Sequence, residues 1–505
     1  MIQSLQIKGD DRTLSRDAAQ NDDKSRTREG NKFFNRFSKD FSVREAVEEL
    51  RMLGKIACPV LMTTLLICSK SMISMVFLGR MGKTELAGGS LAIGFANITA
   101  FSVLRGLSMA MDPICSQAFG AKRWSVLSQT YLKTFLLLLF ACLPISILWI
   151  NVDHVFHRLG QDRAITKVAK VYLLFSLPEL LAQAHLIPLK SFLRTQGLNS
   201  PSTLATAVST ILHLPICYLL VTYFNLGVKG LALSSILYAF NTNIGLLIYV
   251  VRSKVSIKPW DGLTAVSTFH GWWPLISLAL PSVFSVCLEW WWFEIILFLG
   301  GRLSDPESSV GAVGILIQTT GTIYAFPYSL SVSVSQRVGY ELGAGEASRA
   351  KRAAVIGIAV ALSCGFVALS LAFTLRSVWG KMFTNDPLTL TLISTALPIL
   401  GLAELGNAPQ TAACGVLMGS ARPKVGVRVN LASFYLIGLP VAVLLAFKFG
   451  IGFLGLWWGL AAAEFSCVVM MLSTLYQTDW KYETKRAEEL TLAAGEDDLN
   501  TNLVA

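Results

Sequence analysis

Lys70, Arg105, Glu179, Glu289, Glu294, Glu404 and Glu464 all sit inside long apolar stretches of this 505-residue chain. Placing one such side chain at the centre of a membrane helix costs roughly 2.5 to 3.5 kcal/mol, so each is expected to carry function or a specific partner. Glu289 and Glu294 stand in CLEWWWFE (Cys287 to Glu294), and Glu404 stands in LAELGNAPQ (Leu402 to Gln410). Glu289 lies about sixteen residues into an apolar segment that starts near Trp273, and Glu404 about sixteen into one that starts near Leu388. If the two segments cross a bilayer in opposite directions, both carboxylates reach mid-depth. A carboxylate kept from water binds a proton more readily than one in solution, and releases it when water or a cation arrives. That is the chemistry of proton-coupled exchange. Five residues turn a helix by about 500°, so Glu289 and Glu294 point roughly 140° apart and cannot share a site. Glu289, nearer mid-depth, is the stronger candidate.

Trp290, Trp291, Trp292 and Phe293 lie at the same depth, away from the interfacial level where an aromatic belt belongs. Aromatic walls beside a carboxylate suit organic cations and flat apolar molecules. At least two of the four rings must pack against lipid or neighbouring helices. Trp290, Trp292 and Phe293, with Gln318, Tyr324 and Gln410, are expected to line a substrate cavity.

The elements that would position these groups follow from composition. Charged residues make up 15% of the chain against roughly 25% in soluble proteins, and the mean hydropathy is +0.55. Windows of about 20 apolar residues predict twelve spans, near 56–78, 88–115, 128–150, 166–188, 203–224, 229–251, 273–299, 309–334, 352–376, 388–416, 425–447 and 453–476. Residues 1–42 read as a disordered cytoplasmic tail, and 43–55 as an amphipathic lead-in along the membrane surface. The expected division is an N-lobe over 43–251, a cytoplasmic linker over 252–272, a C-lobe over 273–476 and a cytoplasmic tail over 477–505.

The net charge of +11 is concentrated over residues 52–476, which hold 29 basic and 15 acidic residues, most of the bases between the spans. That distribution reads as orientation and headgroup anchoring rather than a nucleic-acid face. With the N-terminus inside, fourteen basic residues fall in cytoplasmic loops, Lys190, Arg194 and Arg337 among them, and nine in the opposite loops. Both termini are therefore expected in the cytoplasm. No cleavable signal is read at the start of the chain, so the first span is expected to direct insertion.

The halves also resemble each other. Pro215 answers Pro440, Gly227 with Gly230 answers Gly452 with Gly455, and ICSQAFGAKR (Ile114 to Arg123) answers VSQRVGYELGAG (Val334 to Gly345). Six spans separate the members of each pair. Such repeats are parallel, related by an axis along the membrane normal, and imply two six-helix lobes around a cavity.

On these residues the chain resembles the multidrug and toxic compound extrusion (MATE) family, its plant branch in particular, over about residues 50–480. The carrying stretches are SMVFLGRMG (Ser74 to Gly82), LAGGSLA (Leu86 to Ala92), MDPICSQAFGA (Met111 to Ala121), PLKSFLRTQG (Pro188 to Gly197), CLEWWWFE and ELGNAPQTAACGVLMGSARP (Glu404 to Pro423). The resemblance implies an all-α membrane fold of twelve helices in two pseudo-symmetric bundles. It also implies export of organic cations, xenobiotics or secondary metabolites in exchange for protons or sodium. It places the family's seventh-helix coupling glutamate on Glu289 and a second acidic position on Glu294. The tenth-helix acidic position falls on Asn407, with Glu404 one turn earlier. Ser74 stands where many bacterial members carry an aspartate, and Met418 where an arginine is usual.

The expected function is therefore a secondary antiporter that exports small organic molecules, hormones included, against protons rather than sodium, from the plasma membrane or a vacuolar or endosomal membrane. Its partners would be a small organic substrate, protons and the lipid bilayer, with cytosolic proteins meeting the charged tails and no nucleic acid. The alternative is an anion-conducting channel or organic-anion exporter on the same scaffold, motivated by Lys70 and Arg105. No enzyme, metal or cofactor is expected: there is no phosphate-binding loop, and His154, His157, His185, His213 and His270 form no ligand spacing. The nine cysteines read as small apolar residues rather than a disulfide framework.

Overall fold

The computed structural model describes residues 42–158, 163–253, 257–261, 271–303, 305–384 and 386–495. The tail expected over 1–42 lies outside the described residues except for Ser42, as does much of the 252–272 linker. The chain divides into two compact units at Met52–Leu53. Of the first, the described part is the opening of a helix. Ser42 and Glu45 cap it reciprocally: the Glu45 N–H donates to Ser42 Oγ (3.2 Å) and the Ser42 N–H to Glu45 Oε2 (3.1 Å). The amphipathic lead-in expected over 43–55 is helical and forms the opening of α1 (Val43–Met81). No glycine interrupts it before Gly54, and Pro59 is accommodated within it.

The second unit is helical throughout its described residues. After α1 come α2 (Thr84–Gly120, interrupted by a π-helical turn at Asn97–Phe101), α3 (Trp124–Ile150), α4 (Arg163–Thr195), α5 (Ser200–Tyr223) and α6 (Gly227–Arg252). The second set is α7 (Trp273–Gly300), α8 (Pro306–Gly343), α9 (Ala347–Leu375), α10 (Pro387–Gly419), α11 (Pro423–Lys448) and α12 (Phe453–Tyr476). Each expected span falls on one of these helices to within about a residue. Eleven are long and apolar enough to cross a membrane. The twelfth, α4, has the length, 33 residues or about 50 Å, but carries Lys167, Lys170, Glu179, Lys190 and Arg194.

Two cores are built from them. One gathers residues such as Leu104, Leu127, Leu173 and Leu231 from α2 to α6, and the other Trp292, Leu316, Leu400 and Trp457 from α7 to α12. The repeat is visible in the turns. The Phe224 N–H donates to Leu219 O and the Leu226 N–H to Leu220 O, and 225 residues later Phe449 and Ile451 donate to Leu444 O and Leu445 O. Gly227 and Gly452 follow with φ of 55° and 64°, a left-handed conformation that excludes most side chains. In both halves the helix before this turn ends in π-helical backbone, at Tyr218–Tyr223 and Leu444–Lys448.

The halves meet along the later part of α2. Gly106 packs on Val283 of α7, Gly339 of α8 on Ser116, and Gly343 on the carbonyl of Gln117. Gln117 Nε2 donates to Gly419 O (2.8 Å), and Gln336 and Tyr340 donate to the carbonyls of Arg194 and Thr195. Over this end runs a helix within the expected tail, α13 (Trp480–Gly495). Its buried Glu483 pairs with Arg422 (3.3 Å) and Arg486 (2.9 Å), and Arg486 donates to Ala421 O (2.6 Å). Arg123, in the α2–α3 turn of the other half, donates to Thr491 Oγ1 (2.9 Å). Among the bases counted as loop charges, Lys190, Arg194 and Arg337 lie within α4 and α8, which extend beyond their apolar cores. Arg194 pairs with Asp112 (2.6 Å) and Arg337 with Glu341 (2.6 Å).

Candidate functional site: a carboxylate cluster in the second lobe

Glu404 is 2% exposed on α10, a helix that contains Pro398 and Pro409 and is buried along most of its length. Its carboxylate accepts from Thr320 Oγ1 of α8 and from Asn407 Nδ2 (2.9 Å) one turn along α10. Thr411 donates to Asn407 Oδ1 (3.0 Å) and approaches Gln410 Oε1 (3.2 Å), so a polar ladder climbs this face of α10. Glu289, half-buried on α7, has Tyr324 of α8 as its hydrogen-bonding neighbour and lies within electrostatic reach of Glu404. Glu464 on α12 is buried, lies within electrostatic reach of both of these carboxylates, and keeps Oε2 without a hydrogen-bond partner among the described residues. Gly406 lets α10 approach the Glu464 side chain closely. Among the described residues no Lys or Arg pairs with any of the three. Carboxylates gathered from three helices without a basic partner form a set that protons or cations can bind.

The structure therefore brings together Glu289, Glu404, Asn407, Tyr324 and Gln410 of the expected residues. It separates others. Glu294 is exposed and none of the other carboxylates acts on it. Trp292, expected on a cavity wall, is fully buried with its ring 5.7 Å from Phe434 and against Gly438, because the turn of α7 that offers Glu289 to α8 points Trp292 toward α11. Phe293 packs against the same core, and Trp290 and Gln318 are exposed. Thr320 was not singled out by sequence, and nothing distinguishes it there from the neighbouring Thr319, which instead accepts from Trp379 Nε1 (2.8 Å). Glu464 carries a sequence signal, an acid in an apolar span, but rotation about the helix axis decides that it joins the set.

The first lobe holds a second buried polar group. Ser74 Oγ and Cys217 Sγ lie 3.2 and 3.4 Å from His213 Nε2, while Lys70 Nζ stands 5.6 Å over the Tyr238 ring and within electrostatic reach of Glu179. Ser74, at the position where a bacterial aspartate was noted, is thus tied to a histidine. Among the described residues, His213 Nδ1 and the Tyr238 hydroxyl are buried without a hydrogen-bond partner.

Comparison with known proteins bears on this arrangement. The MatE family model matches residues 59–219 and again 281–444. The chain belongs to the MATE family. The two matched segments fall on the two halves that share their turn geometry. Protein DETOXIFICATION 53 of Arabidopsis thaliana is 58% identical over 89% of this chain and 92% of its own length, and Protein DETOXIFICATION 49 of the same plant is 49% identical over 90% and 91%. Among solved structures, the eukaryotic MATE transporter AtDTX14 superposes with a TM-score of 0.84 at 29% identity, covering 88% of this chain and all of that one. A Vibrio cholerae MATE transporter, VcmN D35N, shares the fold at 17% identity and a TM-score of 0.77. As a MATE protein the chain is a multi-pass membrane transporter of the multidrug and toxic compound efflux family, and not an enzyme.

Proposed function

We propose that this MATE protein exports small organic molecules in exchange for protons, with the α7–α10–α12 carboxylates as the proton carrier. The observation that supports this reading is the meeting of Glu289, Glu404 and Glu464 on three helices, with no basic partner and with Tyr324 beside the most accessible of them. Glu289 faces α8 and is half-buried, so it is the group that water or substrate reaches first. Proton uptake and release at the cluster is then coupled to substrate movement as the two lobes rock between openings. The lobes have proposed limits of 43–251 and 273–476, and both termini are proposed to face the cytoplasm.

The test is flux in proteoliposomes under imposed pH steps, with protein amounts matched. Glu289→Gln fixes the uncharged form and should lose gradient-driven flux by roughly tenfold or more, equivalent to at least about 1.4 kcal/mol. Glu289→Asp should keep part of it. Wild-type pH dependence in the Gln variant would remove the coupling role from Glu289, and flux indifferent to the gradient in the wild type would favour a channel.

A further inference from the structure

The carboxylate cluster lies in the second lobe, and the first lobe holds charge of the opposite sign. Arg194 on α4 has Asp112 at 2.6 Å, and Lys70 on α1 has Glu179 within electrostatic reach. Arg105 on α2 and Lys190 on α4 have no acidic counterpart among the described residues. Lys190 Nζ donates to Thr206 Oγ1 of α5 (3.3 Å), a neutral acceptor, and Arg105 is exposed although it lies near the middle of α2.

Its surroundings show where that exposure points. Gly106, the next residue, packs on Val283 of α7, and Ser102 Oγ one turn back is 4.0 Å from Cys287 Sγ, so this stretch of α2 is the seam between lobes. The groups that feel the Arg105 charge come from three other helices of both lobes: Cys68 of α1, Lys190 of α4 and Tyr324 of α8. A residue so surrounded faces the space between the lobes rather than the lipid perimeter. Two cations with no counter-charge repel each other, and an anion placed between them removes that cost. A planar guanidinium beside a primary amine matches an oxyanion, the first as a bidentate donor and the second as a point charge.

We propose that Arg105 and Lys190 bind the acid group of the exported molecule, so that the substrate is an organic anion whose carboxylate or sulfonate rests on the first lobe. The body of the molecule then extends toward Tyr324 and the carboxylates of the second lobe. This rests on the transport reading above for its role in export, and not for its binding.

The probes are naphthalene-2-sulfonate, a membrane-impermeant anion, and N-methylquinolinium, a cation of similar size, with the purified full chain. Equilibrium titration should show the sulfonate binding in preference to the quinolinium. Arg105→Gln and Lys190→Gln should each weaken sulfonate binding about tenfold, about 1.4 kcal/mol, and Arg105→Lys should recover part of the loss, which a merely misfolded protein would not. No sulfonate binding, or binding unchanged in both Gln variants, overturns the proposal. In proteoliposomes the two readings separate: sulfonate bound but moved without regard to pH sinks the proton coupling alone, whereas pH-driven quinolinium flux with no sulfonate binding sinks the anion site alone.

Discussion

Glu404 has two donors, Thr320 and Asn407, whereas Glu464 leaves one oxygen bare in the same buried set. The pairing of Glu404 with Asn407 across one helical turn gives a reciprocal test. Glu404→Gln should lower pH-driven flux roughly tenfold, about 1.4 kcal/mol, and adding Asn407→Asp should return part of it, since the new carboxylate lies at hydrogen-bond distance from the old one. Absence of rescue at matched protein levels would leave Glu404 as a helix-to-helix contact. Residues of this kind are legible in sequence as acids in apolar runs, and their depth follows from counting. Which way each points does not follow: Glu289 and Glu294 are separable by helical angle, but Trp292 looks like a cavity ring until α11 is seen to cover it. Lys190 was hidden for another reason. It was counted as loop charge because the apolar core of α4 ends before the helix does.

At the scale of elements, spans and repeats were readable because apolar length and turn glycines report backbone needs directly. The seam between lobes was not, since small residues on a helix give no address for their partner. Gly343 now has one: a Cβ there would collide with the Gln117 carbonyl. Overpacking of this kind costs typically about 1–3 kcal/mol, so Gly343→Ala should depopulate the joined state by about tenfold or more. Cross-linking between cysteines placed at Phe119 and Tyr340, whose rings stand 5.1 Å apart, should fall accordingly; unchanged cross-linking would mean the seam yields without separating. The helix that carries Glu404 also has a testable cap. The Thr389 hydroxyl and N–H donate to Asp386 (2.6 and 2.8 Å) and hold its carboxyl below the ordinary range. A depressed carboxyl stabilises the fold above its unfolded titration range and loses that effect as pH falls through the folded value. Asp386→Ala should therefore melt earlier than wild type at neutral pH, with the two curves converging in acid.

For the whole molecule, α13 is the part sequence did not announce, because a polar tail with three basic and seven acidic residues reads as solvated chain. Its anchor is Glu483, buried between Arg422 and Arg486. Burial pushes the Arg422 guanidinium below its ordinary range, and the Glu483 charge acts in the opposite direction. Glu483→Gln leaves two bases facing each other and should cost roughly 3 kcal/mol, the range for breaking a buried pair. Limited proteolysis after Thr478 should then proceed readily in the variant and slowly in the wild type; equal rates would show that α13 is held by its apolar contacts instead.

That helix is joined to one lobe through α12 and grips the other through Arg123 and Thr491. If the lobes rock, opening at this face must first undo a sixteen-residue fastening, while opening at the other face need not. The transport cycle then has unequal dwell times, with the long pause spent closed beneath α13. If that opening limits the cycle, throughput is adjustable through α13: loosening those sixteen residues quickens turnover, and the cavity that chooses the cargo is left untouched.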